Sequence, residues 1–174
     1  MKVGIIYATH FGYCSDAAKQ LRKKLESPSE IISFDYKGRY DLSEFDALVL
    51  GGSIRMGLLD QDFIGWLHGH KDEIIEKPYA LFLACGFSEN FDDYVKNCFP
   101  KEIVEHALAI ECIGGNLEGN YKFYDKWLVK MMANKLNKEG KEAPRPLLEN
   151  LETIATAIDG ALQSIPQDSE EPED

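Results

Sequence analysis

Thr9, Gly12 and Ser15, with His10, Phe11, Tyr13 and Cys14 between them, are the residues of this chain whose types and spacing best suit chemistry. They fill a short loop between the apolar run Val3–Ala8 and a segment that carries Ala17, Ala18, Leu21 and Leu25 on one helical face. A strand that empties through a loop into a helix turns free N–H groups and the positive helix end outward, which suits a phosphate. The three glycines of a dinucleotide fingerprint are missing, and so is the Gly-Lys-Ser/Thr of a nucleoside-triphosphate loop. What remains is sized for a single phosphate. Cys14 admits two roles: a reactive thiolate favoured by the helix end, or a structural group touching the phosphate. A phosphate dianion alongside would oppose a second negative charge, and no resolving cysteine is near in sequence, so the structural role is favoured.

Other reactive residues are scattered. Cys85 and Cys112 lie in strand-like runs and read as buried, reduced, small hydrophobes, and no C-x-x-C pair or zinc-ligand spacing occurs. His68 and His70 are two apart on a helical pattern, where side chains diverge. No residue set suggests an acid–base catalyst or a metal site.

The elements that must position the loop alternate. Strands are expected at Val3–Ala8, near Glu30–Asp35, and at Ala47–Gly51, Tyr79–Cys85 and Ala107–Ile113. All but the second are nearly continuous apolar runs, as in parallel strands buried on both faces. Helical patterns cover Cys14–Glu26, Gln61–Glu76, a region from Phe91 to His106 broken at Pro100, and Pro146–Gln163. Right-handed crossovers then predict an α/β fold, a doubly wound five-stranded parallel sheet of order 2-1-3-4-5, with ligands beyond the carboxyl ends of the strands. The segments leaving there are glycine-bearing: Gly51-Gly52-Ser53-Ile54-Arg55-Met56-Gly57, Ala84-Cys85-Gly86-Phe87 and Gly114-Gly115. Backbone could approach a flat ring closely at such exits, with Met56 and Phe87 against its faces. A phosphoacceptor receiver domain is excluded, because its acidic pair, its aspartate and its lysine are absent from these exits.

Length and charge set the outer limits. One domain over residues 1–165 is expected, followed by an acidic tail, 166–174, too charged to order itself. The net charge of −11 argues against nucleic acid. Residues 114–145 differ: seven Lys/Arg stand against four Asp/Glu there, whereas the remainder carries 12 against 26. This segment reads as an insert after strand five. Within it a helix is expected over Tyr121–Leu136, with Lys122, Lys126 and Lys130 as a positive stripe beside Phe123, Trp127 and Met131. It could cover a sheet edge or act as a lid or docking face. No run is long enough for a membrane span and no signal peptide opens the chain, so a cytoplasmic location is expected, with at most peripheral contact at the inner face of the membrane.

The phosphate loop resembles that of flavodoxin-like proteins, which implies FMN as cofactor. Gly-x-Ser-Ile-Arg-x-Gly at Gly51–Gly57 and Tyr-x-x-Tyr-Asp-Lys-Trp-Leu-Val-Lys at Tyr121–Lys130 resemble, more narrowly, the menaquinone-dependent protoporphyrinogen dehydrogenase family. By that resemblance Thr9, Gly12, Tyr13 and Cys14 hold the phosphate, and Ser53, Ile54, Arg55 and Gly57 border the flavin. His10, Phe11, Met56, Cys85, Gly86 and Phe87 complete the expected cofactor-binding set. The chain departs from the family pattern at Met56, where an aromatic residue is frequent, and at Cys14, where a threonine is common. Three functions follow as expectations: an FMN oxidoreductase with a quinone-like acceptor and a porphyrinogen as candidate substrate, an electron carrier serving a redox protein, or a flavin-free binding domain.

Overall fold

A computed structural model describes residues 1–10, 12–115, 127, 130, 131, 134, 138 and 144–165. Five parallel strands run in the order β2-β1-β3-β4-β5. They are β1 (Val3–Ala8), β2 (Ser29–Ser33), β3 (Ala47–Ser53), β4 (Tyr79–Ala84) and β5 (Ile110–Gly114). The expected fold and strand order are those observed. Every residue of β1 and β4 is buried, whereas the edge strand β2 is only partly so. That difference is why β2 lacks the continuous apolar run of its neighbours.

Helices cover both faces. On one lie α1 (Tyr13–Lys24) and α6 (Leu151–Gln163), packed with Val3, Ile5, Val49 and Phe82. On the other lie α2 (Gln61–Gly69), α3 (Lys71–Ile75), α4 (Phe91–Cys98) and α5 (Lys101–His106), over Ile6, Leu48, Leu50 and Leu81. Each such leucine, isoleucine or phenylalanine contributes roughly 1.5–3 kcal/mol by leaving water, so the central strands anchor the molecule. Gly51 and Gly52 belong to this packing. A Cβ on Gly51 would meet the Phe82 ring at 2.5 Å, and one on Gly52 would meet Leu59 Cδ1 at 2.4 Å. Their missing side chains admit core groups rather than a ligand.

Two helical expectations change. The pattern Gln61–Glu76 forms two helices, because the chain breaks at Gly69-His70 and the His70 Nδ1 lies 2.9 Å from the Trp66 carbonyl oxygen, competing with helix continuation. The last helix begins at Leu151 rather than Pro146, since the preceding chain is drawn into pairing with β5. There Gly114 bridges Pro146, Gly115 N donates to the Arg145 carbonyl at 3.1 Å, and Leu147 N donates to the Ile113 carbonyl at 3.0 Å. The chain therefore returns to the place it left. Gly114 makes this possible: its φ is 71°, and a Cβ would meet the Arg145 oxygen at 2.1 Å. Of the expected helix 121–136, Trp127, Lys130, Met131 and Asn134 are helical and exposed. Lys122, Lys126, Phe123 and the tail 166–174 lie outside the described residues.

Candidate functional site

Three chain segments leave the carboxyl ends of β1, β3 and β4. The first is the β1–α1 loop. Gly12 caps α1 with φ 84°, and its amide donates to Thr9 Oγ1 at 3.2 Å. Ser15 N and Asp16 N both donate back to the Gly12 carbonyl, at 3.0 and 3.2 Å. The amides of Tyr13 and Cys14 precede these first intrahelical bonds and face outward with the positive helix end. No side chain caps this twelve-residue helix, so the cap is left for something else to provide. Phe11 lies outside the described residues.

Side chains in this loop take separate directions. Tyr13 donates its hydroxyl to the Ile113 carbonyl at 2.6 Å, which leaves only its amide for a phosphate. Burial pushes its phenol up to about 12. Cys14 is fully buried and packs in the core with Tyr7, Ala17 and Ala18. Burial drives its thiol up to about 12, against the Thr9 and Ser53 hydroxyls alongside, which excludes the reactive-thiolate role. His10 Nε2 lies 3.9 Å from Asp60 Oδ2, joining this loop to the next.

That next segment is a tight hairpin. Arg55 and Leu58 exchange backbone bonds, Arg55 N to Leu58 O at 2.9 Å and Leu58 N to Arg55 O at 3.1 Å. Met56 and Gly57 form the turn, with φ 52° and 84°, a type I′ pair. Gly57 adopts this conformation freely and Met56 does so under strain. Met56 is 85% exposed and Leu58 56%, so the turn lifts two apolar side chains into solvent, with Arg55 exposed beside them. Ile54 instead folds onto the core. Ser53 Oγ, at the end of β3, is buried with only the Cys14 thiol alongside it. Asp60 then caps α2 by accepting from Phe63 N at 3.0 Å.

The third segment is Cys85-Gly86-Phe87. Cys85 is buried and its sulfur lies 3.2 Å from that of Cys112. Gly86 is crossed by the returning insert, since a Cβ there would meet Pro144 at 3.1 Å. Phe87 is half-buried. At the carboxyl ends of β1 and β3 thus stand Thr9, Gly12, the amides of Tyr13 and Cys14, Ser53, Arg55 and Gly57, whereas the Tyr13 hydroxyl is bonded to Ile113 and the Cys14 and Cys85 thiols are buried. Sequence reasoning missed the pairing of Leu58 with Arg55 and the Pro144–Arg145 return. Neither has a local signal, because both depend on which backbone groups the fold brings together.

No curated protein matches the sequence. Among solved structures the chain is similar to a short-chain flavodoxin associated with a non-canonical PDU bacterial microcompartment, at 14% identity and TM-score 0.55, over 91% of this chain and 96% of that one. It is likewise similar to a flavodoxin from the domain Archaea, at 15% identity and TM-score 0.54, over 94% and 99%. It resembles rubredoxin oxygen:oxidoreductase from Desulfovibrio gigas at 14% identity and TM-score 0.49, over 93% of this chain, and spans 36% of that protein's length. These likenesses concern the fold. The flavodoxin domain model matches residues 4–143. With that match across most of its length, and with a 2-1-3-4-5 sheet carrying a vacant helix cap after β1, the chain belongs to the flavodoxin domain family.

Proposed function

We propose that this chain binds FMN at the carboxyl end of its sheet and acts as a flavin-based electron carrier. One observation carries the reading: Gly12, left-handed and tied to Thr9, presents the first amides of α1 without a side-chain cap. A terminal phosphate would take that cap, and the Thr9 hydroxyl, which accepts from Gly12, keeps its own proton to donate. Ser53 supports the fit as well, as a buried hydroxyl whose hydrogen bond a ligand would complete. FMN supplies one- and two-electron transfer when bound. Arg55, exposed in the hairpin after β3, offers a positive charge that would tune a flavin bound beside it.

The test compares FMN with riboflavin by fluorescence titration of the full chain. The loop reading expects FMN to bind far more tightly, since only FMN carries the phosphate. Equal affinities would overturn the assignment of the loop, and no binding of either would overturn the cofactor.

A second reading is an oxidoreductase that takes electrons from a porphyrinogen and passes them to a quinone. Its support is the Ser53-Ile54-Arg55 hairpin together with the exposed Trp127 and Met131 beside Lys130, apolar surface that suits a flat substrate. Steady turnover of protoporphyrinogen with a menaquinone analogue would favour it. Reduction and reoxidation of the protein without such turnover would leave the carrier.

A further inference from the structure

We propose that Cys85 and Cys112 form a peroxide-oxidised dithiol that closes into a disulfide across the β4–β5 edge of the sheet. The proposal concerns the thiols alone and stands whether or not a flavin is bound. Their sulfurs lie 3.2 Å apart, and all four cysteines of the chain are free. Nothing in the sequence spacing produces this meeting. β4 and β5 align Leu83 with Cys112, then slip so that Ala84 faces Gly114. The extra residue bulges β5 where Cys85 leaves β4, and the two thiols meet at that irregularity.

The surroundings of the pair divide its labour. Cys112 is drawn below the usual thiol value by its hydrogen bond with Cys85, against burial, and the Gly114 and Cys85 amides add their own hydrogen bonds. Cys85 is pushed far up by the same bond and by burial. The opposite shifts make Cys112 the more acidic thiol of the two. Both are buried, so the oxidant that suits them is small and neutral, such as hydrogen peroxide, and not a protein disulfide. The Cys112 thiolate attacks one peroxide oxygen, the O–O bond breaks, and hydroxide leaves to take up a proton. The resulting sulfenic acid is attacked by Cys85 sulfur; the S–O bond breaks, the S–S bond forms, and the Cys85 proton departs with the hydroxyl as water. Two thiols and one peroxide thus yield one disulfide and two waters. Cys14 and Cys98 provide internal controls, because burial raises both thiols.

The full chain, as purified, is treated with hydrogen peroxide in native buffer, alkylated, and digested without reduction. Mass spectrometry is expected to show two of the four thiols lost and one peptide joining Cys85 to Cys112, restored by dithiothreitol. Cys85→Ser should leave Cys112 as a sulfenic acid that dimedone traps, and Cys112→Ser should leave Cys85 alkylatable. Four thiols still alkylatable after peroxide, or a cross-link through Cys14, Cys98 or a second chain, would overturn the proposal. The mapping on the unmutated chain decides alone should either variant fail to fold.

Discussion

At the scale of single residues, Gly12 and Tyr13 stand side by side and do different work. Gly12→Val would meet no neighbour within 4 Å, so its cost is backbone strain at φ 84°, about 1–2 kcal/mol for an L-residue held left-handed. Relief of that strain would turn the Tyr13 and Cys14 amides away from a phosphate. The expected outcome is a fall in FMN affinity of roughly tenfold or more, or ~1.4 kcal/mol, by fluorescence titration. Tyr13→Phe removes the bond to the Ile113 carbonyl, which keeps the Leu147 amide. The loss at neutral pH should therefore be modest, about 1 kcal/mol in urea melts. A phenol raised from 10.0 to about 12 favours the folded state below pH 10, and that support fades as pH climbs through 12. The phenylalanine variant should lack that alkaline decline.

Elements show where the sequence speaks and where it does not. The hairpin Arg55–Leu58 is held by backbone bonds, yet its turn places a methionine where asparagine would sit at ease. Met56→Asn is expected to stabilise the protein by ~0.5–1 kcal/mol, read as a melting temperature higher by about 1–4 °C. No rise would mean that strain at Met56 is already compensated by its neighbours. The strands were legible because β1, β3 and β4 are buried on both sides and must be apolar throughout. The division of Gln61–Glu76 was not, since a gap of one residue between α2 and α3 leaves helical spacing nearly unbroken. The phosphate loop was legible from its glycine and hydroxyls. The directions of Tyr13 and Cys14 were not, because the strand opposite each side chain is fixed only by tertiary register. Likewise Gly51, Gly52 and Gly86 resembled ligand glycines until Phe82, Leu59 and Pro144 were seen to fill their space.

At the scale of the whole molecule, charge divides the acidic body from the basic segment 114–145. Among the described residues no helix is long and apolar enough to cross a membrane. Lys130 is exposed beside Trp127 and Met131, and Lys122 and Lys126 share its spacing. Should this stripe serve a membrane quinone, changing all three lysines to glutamine ought to weaken binding to anionic liposomes by ~1 kcal/mol per charge while FMN affinity holds. Parent protein that ignores such liposomes would favour the carrier.

The bridge between Gly114 and Pro146 has a consequence in chain entropy. The sheet already supplies the bonds that hold the two ends of the insert together, so the length of chain between them enters folding as a loop-closure cost. Shortening a loop of roughly 30 residues to about four lowers the closure cost by ~2 kcal/mol. A chain in which 116–143 gives way to a short Gly-Ser turn should thus fold with equal or greater stability in denaturant melts and keep its FMN site. What it would lose is whatever the segment was acquired to do. On this reading the Gly114–Pro146 bridge, rather than the length of the segment, is what joins β5 to the last helix.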